Sequence, residues 1–456
     1  MGKLIAILVA LLVGCGSGGP EWTSVQDMDT EAVYVDGRSI SWQEHLIDDE
    51  RTSGVPLRGA TVLTRGHLDG DERLDILSAH SDSRYLRIAF STEEPTEKFL
   101  LSLAEADDAV GVIDIAIGDV NGDDWPDVVA AGEGGILYLQ NPAQSKPGFR
   151  WQRILPVVAE GEWLSIDLVD LNGDGTLEII GLRPAVIGEF PTIVQLIPGE
   201  DPMTGEDWTL QPLASSEDAA FAIPGDIDGD GDLDFFAGVG SVSGLVWFRN
   251  VSSGSRIALQ PQTISVEGFS GKIHAPVLAD LNGDSRLDVA AALETGLVMT
   301  IVQGENPRAA WKARTIGDLG PDGVAGIAVG DVDGDGDNDL VVGSEGGGSR
   351  EQDADRENEE VNFSTSAGRI AWFQNPGGGT GAWKRHDLVR RERGRYSDFI
   401  VLDVDGDDDM DILGVRSDSG GLDGLFWIQQ LHSDDPVVRF QPARRESRES
   451  LALPLP

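Results

Sequence analysis

The chain of 456 residues holds one cysteine, six histidines and four tyrosines, and only 34 lysines and arginines against 79 aspartates and glutamates. A single cysteine, Cys15, excludes an intramolecular disulfide, so covalent staples cannot stabilise this protein outside a cell. A formal net charge of −45 excludes nucleic acid as a partner by bulk electrostatics, and invites cations instead. The histidines are scattered, no cysteine stands as a nucleophile and no Ser-His-Asp pattern emerges, so the chain reads as a binding protein rather than an enzyme. What is present argues for a folded protein. Hydrophobic residues make up 40% of the chain, with 11 tryptophans, which is too apolar for a disordered acidic protein. The 58 glycines follow no three-residue period, which suits an all-β protein with many tight turns.

The apolar run from Leu4 to Val13 is too short to cross a bilayer as a helix but fits the core of a signal peptide. Leu12, Val13, Gly14 and Cys15 resemble the bacterial lipobox, which implies cleavage after residue 14 and a lipid on Cys15. The expected organisation is a signal peptide over 1–14, a lipid-anchored flexible tether over 15–36, a repeat domain over 37–444 and a disordered tail over 445–456. The protein is expected to be exported and held on the cell envelope, at the outer membrane or cell surface, touching membrane only through that lipid.

One pattern, D-x-[DN]-G-D-x-x-x-[DE], recurs seven times, at His67, Asp119, Asp170, Asp226, Asp280, Asp331 and Asp403. The starts lie 52, 51, 56, 54, 51 and 72 residues apart, so one structural unit repeats, with an insertion in the sixth copy at 345–362. Calcium takes roughly six to eight oxygens at about 2.3–2.6 Å, and a short loop supplies them when oxygen side chains alternate with residues pointing away. Positions one, three and five offer side chains, position seven its carbonyl and position nine a carboxylate that can close the shell with both oxygens, while the glycine at four turns the backbone. The candidate ligands are Asp69, Asp71 and Asp75 in the first loop; Asp119, Asn121, Asp123, Trp125 and Asp127 in the second; and Asp170, Asn172, Asp174, Thr176 and Glu178 in the third. The fourth offers Asp226, Asp228, Asp230, Asp232 and Asp234, and the fifth Asp280, Asn282, Asp284, Arg286 and Asp288. The sixth offers Asp331, Asp333, Asp335, Asp337 and Asp339, and the seventh Asp403, Asp405, Asp407, Asp409 and Asp411. His67 puts an imidazole, poorly matched to calcium, at position one of the first loop, so the expectation is six or seven Ca2+ ions with the first site doubtful.

Aromatic runs such as Gly244 to Asn250, Arg369 to Asn375 and Gly424 to Gln430 follow the loops as third strands, and Trp151, Trp208, Trp311 and Trp383 open fourth strands. With a strand on either side of each loop, every repeat supplies four strands, the signature of a seven-bladed β-propeller of antiparallel blades. Ile40 to Ile47 is expected to complete the last blade, with Val437 to Phe440 competing for that place. The acidic loops and the W-F-x-N strand resemble the FG-GAP and VCBS-type repeats of integrin α-subunit propellers and their bacterial relatives. That resemblance implies calcium loops between the first and second strands of each blade, on its lower face. It does not specify an activity.

A partner would then meet the upper face. Arg390, Arg391, Arg393, Arg395 and Tyr396, with Lys272 and His274 from an equivalent connection, could read an acidic glycan, and Trp163 could stack on a sugar ring. The leading function is a surface-anchored adhesion or ligand-binding module for protein or glycan. The alternatives are a polysaccharide lyase, with Tyr396, His274 and the arginines as its machinery, and a structural component of the envelope.

Overall fold

The computed structural model describes residues 28–105, 111–144, 150–153, 159–185, 190–204, 208–217, 219–239, 244–269, 271–293, 295–320, 323–345, 368–391, 394–419, 422–443 and 451–452. Cys15, Arg393 and nearly all of the 345–362 insertion lie outside them. The regular secondary structure of the described residues is almost wholly strand, with one short helix at Glu50–Ser53.

Hydrogen bonding sorts the described strands into six sheets, of four, five or eight strands, built from four-stranded antiparallel units; in the eight-stranded sheet Leu259–Glu267 pairs parallel with Trp311–Asp318 and links two such units. The first unit is Ala60–Gly66, Asp75–His80, Tyr85–Ser91 and Lys98–Glu105, and the second is Val112–Gly118, Asp127–Gly132, Gly135–Gln140 and Gln152–Arg153. The third runs Ser165–Val169, Glu178–Arg183, Thr192–Ile197 and Thr209–Ser215, and the fourth Ile223–Gly225, Asp234–Val239, Gly244–Asn250 and Leu259–Glu267. The fifth is Ile273–Ala279, Asp288–Leu293, Leu297–Val302 and Trp311–Asp318, and the sixth Gly326–Gly330, Asp339–Gly343, Gly368–Gln374 and Lys384–Arg391. The seventh takes Arg395–Leu402, Asp411–Ser417 and Gly424–Ser433 from the end of the chain and its fourth strand, Ser39–Asp49, from the beginning.

Burial explains the sequence of each strand. Second strands such as Asp127–Gly132 and Asp75–His80 are buried along their whole length, because a neighbouring unit covers either face, and they read as unbroken apolar or small runs. Outer strands such as Leu259–Glu267 instead alternate between buried and exposed residues. Each of the seven hydrophobic clusters is shared between consecutive units. The cluster of Leu413, Val415, Leu425 and Trp427 with Ala60, Leu63, Ile76 and Leu100 joins the seventh unit to the first, which closes the ring. The same junction carries polar links, with the Asp398 carboxylate accepting from the Leu63 amide at 2.9 Å and Ser397 Oγ donating to the Ala60 carbonyl at 2.6 Å.

The closing strand is fixed by charge as well as by pairing. Glu44 meets Arg416 at 2.7 Å within the seventh unit, and Asp48 meets Arg87 of the first unit at 2.9 Å, all four side chains being buried. Breaking one half of such a pair strands a charge in a region of low dielectric, so these pairs specify which strand closes the ring. The competing segment lies outside it, where Phe440–Gln441 pairs parallel with Trp42 and Gln43 as a fifth strand. Two segments expected to be free of structure are partly built in. Residues 28–36 of the expected tether bridge from Asp29 to Val438 and bury Thr30 and Ala32, and Leu451–Ala452 of the expected tail pairs parallel with Phe99 and Leu100.

Candidate metal centre: the acidic loops

Every acidic loop connects the first strand of a unit to its second, and two neighbouring pairs of loops touch. The Trp125 ring would collide with a Cβ at Gly70 of the preceding loop, where φ is +75°, and Asn338 Nδ2 donates to the Asp280 carbonyl at 2.9 Å. The loops therefore share one face of the ring.

Within a loop, the position-one aspartate gathers the backbone. Asp119 Oδ1 accepts from the amides of Gly122 and Asp123 at 2.7 and 3.1 Å, and its Oδ2 accepts from Asp124 at 2.9 Å. Asp170, Asp280 and Asp403 repeat this set, and Asp226 and Asp331 keep part of it. The first loop differs. His67 Nδ1 lies 3.0 Å from the Arg73 carbonyl, the position-seven oxygen that calcium would use, so the imidazole occupies a ligand rather than replacing one.

The acid at position nine has a role that the motif alone does not reveal. Asp339 is fully buried; its Oδ2 accepts from the Val332 amide at 3.2 Å and its Oδ1 from the Asn375 amide at 2.6 Å, at the end of the third strand. Asp75, Asp127, Asp234, Asp288 and Asp411 make the same two kinds of bond, pinning loop to third strand. Each oxygen keeps a lone pair for an ion, but position nine is first a structural pin. Burial raises these carboxyls, to about 6 for Asp234, about 7 for Asp75 and Asp288 and about 8 for Asp339 and Asp411, with neighbouring aspartates adding to the effect.

The residue after the third strand completes a lock between units. Asn141 Nδ2 donates to the Leu68 carbonyl of the preceding loop at 2.9 Å, Asn250 to Leu171 at 2.9 Å and Asn375 to Leu281 at 3.1 Å. Gln303 reaches Ile227 at 2.8 Å and Gln430 reaches Val332 at 3.1 Å. All five amides are buried. The asparagine of the W-F-x-N run thus holds the acidic loop of the unit before its own.

Three loops bring carboxylates together. Asp226, Asp228 and Asp230, then Asp331, Asp333 and Asp335, and then Asp403, Asp405 and Asp411 each place one oxygen per residue within 4.8 Å of the others. In each set one buried oxygen has no hydrogen-bond donor, namely Oδ1 of Asp228, Asp331 and Asp405. Arginine enters other loops as a built-in counter-charge. Arg73 pairs with Asp71 at 2.5 Å, Arg286 pairs with Asp284, and Arg249 reaches Asp228 at 2.5 Å and Asp230 at 2.7 Å. The fourth loop, with acids at all five odd positions, therefore already holds a cation against two of them. At the place matching Arg249, the sixth and seventh loops have Gln374 on Asp333 and Gln429 on Asp405, at 2.5 and 2.6 Å.

Two of the expected upper-face residues, Trp163 and Tyr396, are closed off from solvent. Trp163 is fully buried, its Nε1 donates to the Ala159 carbonyl at 3.1 Å and the Arg183 guanidinium lies 5.2 Å over its ring, so a sugar cannot stack on it. Gly181 makes room for that ring, which a Cβ there would meet at 2.6 Å. Tyr396 is likewise buried, against Phe399 and Phe426, and is not placed to serve as a base toward a polysaccharide in solvent. Arg395, Lys272 and His274 are exposed, Arg390 is half-buried, and Lys272 and His274 stand on the fifth unit while the arginines join the sixth to the seventh. The side chain of Arg391 lies outside the described residues.

Residues 119–181 and 226–291 match the family model for the FG-GAP-like repeat, and residues 323–370 match that for the FG-GAP repeat. The chain carries FG-GAP repeats. FG-GAP repeats build β-propellers, in agreement with the four-stranded antiparallel units. Similar solved structures include a lead-soaked crystal of BBS1N in complex with ARL6DN, at 13% identity and a TM-score of 0.48, covering 87% of this chain and 98% of that one. Another is an Agrocybe aegerita lectin recognising non-reducing terminal N-acetylglucosamine, at 16% identity and a TM-score of 0.46, covering 77% and 93%. No curated protein matches the FG-GAP repeat chain. At this level of likeness, what those proteins bind carries no argument here.

Proposed function

We propose that this protein is a calcium-stabilised, seven-bladed propeller, anchored to the cell envelope through Cys15, that presents a binding surface to a protein or glycan. The single observation behind the calcium is the pairing of convergent carboxylates with a buried, donor-less oxygen in the Asp226, Asp331 and Asp403 loops. A buried charged oxygen without a partner is costly, and a hard divalent cation satisfies it while offsetting repulsion among its neighbours. Calcium in these loops would be structural, holding the face from which each unit is pinned to the next. Binding is favoured over lyase chemistry because, of the two candidate bases, Tyr396 is packed in the core and His274 alone is exposed.

The test is a pull-down from envelope polysaccharide and protein, with calcium and with chelator, on variants of Arg395 and Lys272. Capture that needs calcium and weakens in the variants supports the reading. Release of unsaturated sugar products, or capture indifferent to calcium, contradicts it.

A further inference from the structure

The junction of the sixth and seventh loops carries two polar atoms that oxygen-only calcium chemistry does not use. His432 stands near the end of the strand Gly424–Ser433, and its Nε2 is buried without a hydrogen-bond partner. Asp409 fills position seven of the seventh loop, where calcium would need only the carbonyl, and its side-chain Oδ1 is also buried without a partner. The two side chains are 5% and 6% exposed, and Nε2 lies 3.7 Å from Asp409 Oδ2. That distance is too long for a hydrogen bond. It suits two ligands of one ion, since donors about 2.1 Å from a tetrahedral metal lie roughly 3.4 Å apart.

The surroundings fit such an ion. Asp407, two residues earlier, accepts from the Asp409 amide at 3.2 Å. The Tyr34 ring covers the imidazole, with centroids 4.2 Å apart, and also lies against Gly334 of the sixth loop, where a Cβ would meet it at 2.5 Å. The Val35 amide donates to the Asp333 carbonyl at 2.8 Å, which holds this cover in place.

We propose that His432 and Asp409, with Asp407 shared from the seventh calcium loop, form a second site for a borderline divalent cation of the zinc class, capped by Tyr34. One imidazole with two carboxylates matches ligand preferences that differ from those of calcium, which favours oxygen alone. The site also sits where the last residues of the expected tether meet the ring, so its ion would fasten the cover contributed by residues 34 and 35.

The experiment is calorimetric titration of zinc chloride into the full chain with its calcium loops saturated. One zinc equivalent is expected above the calcium background. His432→Gln and Asp409→Asn should each weaken it at least tenfold, with calcium stoichiometry measured separately and unchanged in His432→Gln. X-ray absorption of zinc-loaded wild type keeps the proposal testable should a variant fold poorly, and should show an imidazole nitrogen among the ligands. No zinc uptake by wild type, equal uptake by His432→Gln, or an all-oxygen shell would each overturn the proposal. A failure here leaves the calcium reading standing, because calcium is counted in the same samples.

Discussion

Replacing Asn375 by alanine should loosen the ring at one joint without touching any carboxylate. The buried Asn375 side chain donates to Leu281 of the fifth loop at 3.1 Å and to Asn338 at 2.9 Å, and its Oδ1 accepts from Gly377 at 3.1 Å. Truncation removes three hydrogen bonds and leaves the Leu281 carbonyl buried. At about 1 kcal/mol for each of the three bonds, with roughly 1–3 kcal/mol for the stranded buried carbonyl, the loss comes to about 4–6 kcal/mol. Asn375→Asp should be worse, because a carboxylate facing two carbonyls has no proton to give them and lies beside Asp339. Urea unfolding of the calcium-saturated protein reads both effects as shifts in midpoint. If Asn375→Ala unfolds within about 0.5 kcal/mol of wild type, the usual scatter of surface substitutions, the lock does not hold the units together.

The position-nine acids give the metal-free protein a pH dependence of defined sign. Their folded pKa values, about 7 for Asp75 and about 8 for Asp339, lie above the ordinary 3.8, so the folded state binds more protons; their stabilisation is complete below about pH 4 and is lost as pH rises through 7 to 8. Metal-stripped protein should therefore melt lower at pH 9 than at pH 5, with calcium flattening the difference, and a stripped protein that melts higher at pH 9 would show the sign to be wrong. Glu44→Gln strands the buried Arg416 guanidinium and should cost about 3–5 kcal/mol in urea unfolding, whereas a neutral outcome would remove the pair from the account of ring closure. Arg249→Gln removes the cation held against Asp228 and Asp230 and should tighten calcium at the fourth loop by roughly 1–2 kcal/mol, about tenfold in calorimetry; unchanged or weaker binding would mean that the arginine does not compete.

Features set by local spacing were legible in the sequence. The acidic loops, the aromatic third strands, the tryptophans opening fourth strands and the closing strand around Trp42 all lie where the repeat puts them. Contacts between units were not, because a repeat pattern reports what each copy does alone. Asn141 bonds to Leu68 across 73 residues and Gln430 to Val332 across 98, and nothing in either segment names the other. The pinning role of position nine was hidden for a related reason, since a carboxylate that ligates and one that accepts backbone amides have the same letter. Arg249 shows the converse error of counting acids within a loop, because the charge that offsets them arrives from a strand 19 and 21 residues away. Trp163 lies in a connection, where a ring is expected at the surface, yet Gly181 opens the space that buries it.

Calcium titration of the metal-stripped protein, followed together by calorimetry and by melting temperature, meets the central claim most directly. The account requires several equivalents to bind, including those at the Asp331 and Asp403 loops, and the melting temperature to fall sharply on chelation and return with calcium. A melting curve that is the same in chelator and in calcium would contradict it.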